Sequence, residues 1–189
     1  KGENIKMTQA DKCFIETCTK IIEHGYSSEG TGTRTRWQDG TEANVLSIIG
    51  VTNRYDVAKE FPMITLRNNS KTIFNAIDEI LWIWQKKSNR VQELKSHIWD
   101  QWADEQGTIG KAYGYQLGKK YEFKTKEGIK TMDQVDYVLY LLTHDKASRR
   151  IMTNIFNHAD LKDMGLEPCA YGTQWIVKEN KLHLILNQR

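Results

Sequence analysis

Cysteine is scarce in this sequence. Cys13, Cys18 and Cys169 are the only three in 189 residues, and they show no metal-ligand spacing, so neither a disulfide framework nor a zinc cluster is expected. That usage fits a reduced, cytosolic protein. Long apolar runs are also missing. Runs such as Ile80 to Trp84 fall far short of the roughly 20 residues a membrane-spanning helix needs. The amino terminus holds no signal-peptide apolar segment. Neither sign of charge dominates: lysine and arginine number 27 against 24 acidic residues, a formal charge of +3. That is too mild to mark a polyanion binder, yet no obstacle to anionic small molecules. There is no internal repeat and no low-complexity tract. The glycine-rich stretch Gly107 to Gln116 (G-T-I-G-K-A-Y-G-Y-Q) fits neither a P-loop nor a dinucleotide template.

What is present concentrates at the far end, from Asp163 to Arg189. Two β-rich runs, Ala170 to Val177 and Leu182 to Gln188, flank the turn-forming Lys178-Glu179-Asn180-Lys181, which predicts a hairpin. Cys169 stands at the mouth of its first strand, behind Pro168, and Arg189 at the end of its second. A thiol beside a guanidinium is the pairing that activates a thiolate nucleophile. Register decides whether they share a face. A three-residue turn places Arg189 on the Cys169 side, a two- or four-residue turn places it opposite, and a β-bulge restores the match. A buried structural cysteine with an unrelated surface arginine is the alternative.

Elsewhere the periodicity predicts a helix over Asp11 to His24, stopped by Gly25, then a loop over Ser27 to Gly40 carrying Arg34 and Arg36. Val45 to Val51 and Asn53 to Asp56 read as a strand pair, and Met63 to Leu66 as a short buried run. The strongest helix spans Asn69 to Lys87. Ile73, Ile77, Ile80, Leu81 and Trp84 form its stripe, and Phe74, Trp82 and Ile83 extend it, so it should be largely buried. Glu79 lies in that wall without a basic partner at helical spacing. It is either a solvent-facing glutamate or a desolvated carboxylate suited to proton transfer. Trp99 and Trp102 flank Asp100; of the six tryptophans some should line a site, with core packing the default reading. Lys119 to Lys130 is a charged hairpin or loop. Asp133 to Thr143 is helical with Val135, Val138, Leu139 and Leu142 inward, Ile151 to Phe156 is a strand, and Asn157 to Asp163 a short helical link. The order predicts an α+β fold, a mixed sheet covered by helices on one face. Residues 1 to 6 read as a disordered leader and 7 to 189 as a single domain.

Read together, the pieces resemble the thymidylate synthase family. The carrying residues are Arg34-Thr35, Phe61-Pro62, Asp78-Glu79-Ile80-Leu81-Trp82, Ile98-Trp99-Asp100, Ala112-Tyr113-Gly114, Ser148-Arg149-Arg150, Glu167-Pro168-Cys169 and Gln188-Arg189. Eight short motifs in family order are specific where any one would be noise. The likeness runs from Met7 to Arg189 and includes the W-I-W-Q-x-K-S-N run of a Bacillus and phage branch. It covers about the first two-thirds of a family-length chain, so a domain truncated at its C-terminal end is expected. Positions beyond Arg189 that read uracil, hold the sugar and close the site are not assigned.

The resemblance implies a cytoplasmic homodimer, joined through its sheets, that methylates dUMP at C5. The reduced folate 5,10-methylenetetrahydrofolate would serve as co-substrate, with no metal, no membrane and no obligatory nucleic acid. It implies Cys169 as the nucleophile at pyrimidine C6 and Glu79 as the organiser of proton transfers. Arg34 and Arg189 would hold the substrate phosphate, joined by Arg149 and Arg150 from the partner subunit, since forked guanidinium donors fit phosphate oxygens. Trp99, Trp102, Asp100 and Tyr113 fall around the folate and base pocket. Many family members have histidine after the cysteine; here it is Ala170. The rival readings are a deoxypyrimidine hydroxymethylase of the same superfamily, a non-catalytic nucleic-acid-binding module using Trp, Tyr and Arg, and an inactive fragment.

Overall fold

Reciprocal capping starts the first helix, α1 (Gln9–His24). The Asp11 amide donates to the Thr8 hydroxyl at 3.1 Å, and the Thr8 amide donates to the Asp11 carboxylate at 3.0 Å. Two donors that a helix start leaves unpaired are thereby satisfied. The structure, a computed structural model, describes residues 7–67 and 70–189; the expected leader, residues 1 to 6, lies outside the described residues. It divides into two compact units, Lys1–Ser70 and Lys71–Arg189.

In the first unit α1 is followed by β1 (Tyr26–Ser27), antiparallel to β2 (Leu46–Ser47). Asp11 is completely buried. Its carboxylate also accepts from the Thr65 amide at 2.7 Å and the Thr65 hydroxyl at 2.6 Å, and the Thr8 hydroxyl donates to the Met63 carbonyl at 2.7 Å. The Met63 to Leu66 run is thus fastened to the start of α1 by polar groups, and Met63 to Thr65 are only half-buried. Two expectations fail here. Only Leu46 and Ser47 of the Val45 to Val51 run pair as a strand, and Asn53 to Asp56 do not. Residues 51 to 60 are exposed throughout, so no facing ladder repays their ordering. Gly25 does end the helix, but in extended backbone (φ −70°) rather than the left-handed form. The buried face of α1 is narrow: Cys13 is buried while Phe14, Ile15 and Ile22 are exposed.

The second unit opens with α2 (Ser70–Ile80), which runs on into one π-helical turn, Leu81–Gln85. Asn69, the expected start, lies outside the described residues. Trp82 and Ile83 are buried, but Phe74, Ile77, Ile80 and Leu81 are 46–72% exposed, so the helix is not largely buried as its pattern suggests. An apolar stripe states what a helix can bury, not what covers it. The core gathers around Trp82, Leu94, Trp99, Ile109, Leu117 and Ile155. The short α3 (Gly114–Gly118) leads to the hairpin of β3 (Tyr121–Thr125) and β4 (Gly128–Met132), so the charged stretch read as hairpin or loop is a hairpin that runs on past Lys130 to Met132. α4 (Gln134–His144) starts on Asp133, whose carboxylate accepts from the Asp136 amide at 2.9 Å. Val138 and Leu141 point into a second cluster with Ile151, whereas Leu139, predicted inward, is 57% exposed.

The sheet that carries the hairpin after Cys169 is three-stranded and antiparallel, in the order β5 (Met152–Asn154), β6 (Ala170–Lys178), β7 (Lys181–Gln188). The His158–Asp163 link is a 3₁₀ helix. The fold is α+β, but the strands among the described residues form three separate antiparallel sheets and not one mixed sheet. Each hairpin closes locally on its own turn, which needs no crossover helix. Among the described residues no helix is long and apolar enough to cross a membrane.

The Asp11 carboxyl is held down from 3.8 to about 2, first by the Thr65 hydroxyl and then by the Thr65 and Thr8 donors, against the opposing effect of burial. A folded value below the unfolded one adds stability that is full above about pH 4 and is lost as pH falls through about 2. The difference in thermal midpoint between wild type and Asp11→Asn should therefore hold steady from pH 7 to 5 and shrink toward zero by pH 2. A difference unchanged over that whole range would show that Asp11 acts by shape alone.

Candidate active site

Glu79 sits in the last turn of α2, immediately before the π turn. The extra residue in such a turn widens the helix, a feature that concentrates at functional sites. Buried Trp82 pins the widened turn by donating its indole N–H to the Arg90 carbonyl at 3.0 Å. The Glu79 carboxylate does have a partner, which helical spacing could not reveal. The Trp99 indole N–H donates to Glu79 Oε1 at 2.6 Å, from a loop 20 residues on. Trp99 is only 6% exposed. It packs against Trp102, Tyr113 and Trp82 with ring centroids 5.3, 5.4 and 6.3 Å away, tilted and edge-on geometries that suit the ring quadrupoles. Neighbouring Asp78 accepts from the Lys95 amide at 2.8 Å and so steadies the loop that brings Trp99 in.

Tyr113 continues this wall to the cysteine. Its backbone stands at φ 31°, ψ −96°, outside the regions an L-residue ordinarily adopts. Its hydroxyl accepts the Cys169 amide N–H at 2.9 Å. Burial pushes the Tyr113 phenol above its usual range; the Cys169 N–H opposes this, while the Cys169 thiol and the Glu79 carboxylate add to it. Glu79, Trp99, Tyr113 and Cys169 therefore form one connected row on four separate segments. Cys169 itself is exposed, behind buried Pro168. The alternative of a buried structural cysteine does not hold.

The hairpin solves its register in the way that needs a bulge. The turn has two residues, Glu179 and Asn180, both with positive φ (49° and 59°), the type I′ pattern that suits strand twist. Lys178 pairs with Lys181, and by itself this would send Arg189 to the far face. A bulge at Tyr171 shifts the ladder so that Ala170 pairs with Gln188. The Arg189 amide then donates to the Cys169 carbonyl at 3.0 Å. Opposed residues of an antiparallel pair share a face. The guanidinium folds back on the cysteine's approach, with Nε donating to the Pro168 carbonyl at 3.1 Å and Nη2 to the Glu167 carbonyl at 3.0 Å. Arg189 also lines an open cavity of about 410 Å³ with Tyr171, Asn187, Phe156 and His158.

Arg149 and Arg150 are exposed on the loop after α4, lining an open cavity of about 570 Å³ with Asp145, Ala147 and Ser148. Arg34 lies in an exposed loop of the first unit. Among the described residues no ion pair engages any of these three guanidiniums. Trp102 is half-buried, and Asp100 faces His97, Oδ2 lying 2.9 Å from Nδ1, with no bond to Glu79 or Cys169. Sequence reasoning passed over Lys87 and Asp133, which are bonded at 2.6 Å. The signal was faint: a polar residue ending the apolar helix, and an aspartate at a helix start.

A model of the family described as thymidylate synthase matches residues 12–189. The chain belongs to the thymidylate synthase family. Every candidate residue from Arg34 to Arg189 falls inside that match. The chain is 50% identical over 188 residues to the thymidylate synthase of Bacillus licheniformis and 47% identical to that of Bacillus phage phi3T. These alignments cover 97% of this chain, which spans 65% of the length of each relative. A solved structure, the thermostable thymidylate synthase A from Bacillus subtilis, superposes with a TM-score of 0.86 at 45% identity, covering 96% of this chain and 65% of that one.

The Glu79–Trp99 bond carries a measurable expectation. In a double-mutant cycle of Glu79→Gln and Trp99→Phe, denaturant unfolding should show a coupling of about 1 kcal/mol or more, as for other hydrogen-bonded neighbours. Simple additivity would mean that the bond contributes nothing beyond the packing of the two side chains.

Proposed function

We propose that the protein catalyses reductive C5 methylation of dUMP to dTMP, with 5,10-methylenetetrahydrofolate as carbon donor and reductant. The observation that carries this reading is the row from Glu79 through Trp99 and Tyr113 to Cys169, in a chain of the thymidylate synthase family. It presents an exposed thiol and a carboxylate on one aromatic wall. Cys169 Sγ adds to C6 of the pyrimidine, which makes C5 an enolate-like carbon able to take the one-carbon unit. Glu79, oriented by the Trp99 indole, organises the proton transfers, a role worth roughly 10² to 10⁴ in rate. Trp102 keeps accessible ring surface for the folate, whereas Trp99 and Tyr113 are committed to Glu79 and Cys169.

Arg189 and Arg34 take the nucleotide phosphate within one subunit, and Arg149 and Arg150 reach the partner's phosphate. Support for the second pair is their exposure without an ionic partner among the described residues. Support for a sheet-mediated homodimer is β7, where Leu182, Leu184 and Leu186, alternate residues and so on one face, are 50–55% exposed, an apolar surface of the kind that marks an interface. Both units serve one catalytic domain, at work in the cytoplasm.

In the whole protein, Cys169→Ser should abolish dTMP formation and the covalent trapping of a 5-fluoro nucleotide. Near-normal turnover in that variant would overturn the reading, and turnover of dCMP in place of dUMP would favour the hydroxymethylase. Glu79→Gln should still bind dUMP while losing roughly 10² or more in kcat, because binding and proton transfer separate. Mixing Cys169→Ser and Arg149→Ala homodimers under exchange should restore activity, since one site of the heterodimer then regains both groups. No recovery in proven heterodimers would confine the arginines to their own subunit.

A further inference from the structure

Lys87 stands one residue beyond Lys86, which caps the π-helical segment, with its backbone in the left-handed region (φ 53°), a conformation a lysine rarely adopts without a reason elsewhere in the structure. Its ammonium is drawn inward and only 20% exposed. It lies 2.6 Å from Asp133, itself 2% exposed, and 3.0 Å from Asp136. Lys120 reaches the same two carboxylates from a more exposed position, at 2.8 and 3.1 Å. Burial, the largest single influence on Asp133, acts to raise its pKa, but the two lysines and the Asp136 amide together hold it well below the carboxylate range. Lys87 is therefore clamped at its tip to the start of α4, while its backbone makes a tight turn.

That turn is the seat of α3. Gly114 and Gly118, four apart and so on one helix face, lie against it. A Cβ on Gly114 would overlap the backbone of Ser88, and one on Gly118 would come within 3.1 Å of Lys87 Cβ. The next residue of the turn region, Asn89, continues the grip, donating to the Gly110 carbonyl at 2.6 Å and accepting from the Ile109 amide at 2.9 Å. The residue squeezed between this seat and the preceding loop is Tyr113, whose backbone is strained (φ 31°, ψ −96°) and whose hydroxyl holds the Cys169 amide.

We propose that Lys87 is a positioning residue for Cys169: its bonds to Asp133 and Asp136 hold the left-handed turn that seats α3 and presents the Tyr113 hydroxyl to the Cys169 amide. Among the described residues Lys87 bonds neither the thiol nor Glu79, and it acts through Tyr113. A lysine elsewhere on the same carboxylates cannot substitute, because only Lys87 carries the turn in its own backbone. The proposal takes from the proposed function only that Cys169 is the reacting residue.

Amide hydrogen exchange of the chain tests it without requiring turnover, so its failure is distinct from failure of the enzymatic reading. In Lys87→Met, exchange at the Cys169 amide should quicken by about tenfold, a local opening, while the Ile155 and Trp175 amides, which donate across β5 and β6, keep their rates. Lys87→Arg, which preserves the charge and reach, should return Cys169 to within about twofold of wild type. Gly118→Ala presses on the same turn without touching the ion pair, and should quicken Cys169 selectively by about threefold. An unchanged Cys169 rate, or an equal rise at Cys169, Ile155 and Trp175, overturns the proposal. If Lys87→Met does not fold, Gly118→Ala decides by the same criterion.

Discussion

The Cys169 amide donates to the Tyr113 hydroxyl at 2.9 Å across 56 positions of sequence, and the geometry of the site follows from where that hydroxyl is held. A partly buried amide at a strand mouth is stabilised by an acceptor, since a donor left unpaired out of water costs up to about 1–3 kcal/mol. Here the acceptor is a phenol whose ring is packed edge-on against Trp99, and Trp99 in turn donates to Glu79. Thiol and carboxylate thus share one rigid aromatic frame. Tyrosine suits that position because one end packs in the core while the other end bonds.

Strain and register meet at the same place. Tyr113 occupies backbone space an L-residue normally avoids, and the hairpin carrying Cys169 needs a bulge at Tyr171 to bring Arg189 alongside. Such departures cost on the order of 1–3 kcal/mol each and persist only where surrounding contacts over-determine them. The contacts are visible: the Arg189 amide on the Cys169 carbonyl, the guanidinium on the Pro168 and Glu167 carbonyls, and the phenol on the Cys169 amide. The short segment Glu167 to Cys169 is therefore held by its backbone from both sides. Its thiol is left exposed.

Buried charge serves the same frame. Pairing Lys87 with nearly inaccessible Asp133 adds little net stability, because desolvating two ions offsets most of their attraction. What such a pair supplies is a defined position, since either ion left alone in that environment would be costly. It ties the end of α2 to the start of α4, with α3 between them. Asp11 does the equivalent in the first unit, where one carboxylate joins the start of α1 to Thr65.

The sequence by itself determined the local elements: the helices α1 and α4, the helix bearing Glu79, and the hairpin bearing Cys169. It did so because capping, periodicity and turn chemistry depend on neighbours within a few residues. It also singled out Cys169, Glu79, Trp99, Tyr113 and the arginines, since motif order is written in one dimension. What the tertiary structure alone decided was longer in range. A two-residue turn predicts the wrong face for Arg189 until a bulge is seen, and a bulge leaves no clear mark in composition. Glu79 lacks a partner at helical spacing because its partner comes from a separate loop. The exposed stripe of α2 and the unpaired Asn53 to Asp56 show the same limit: a pattern records what a segment can bury or pair, while burial and pairing need a second surface whose position only the fold provides.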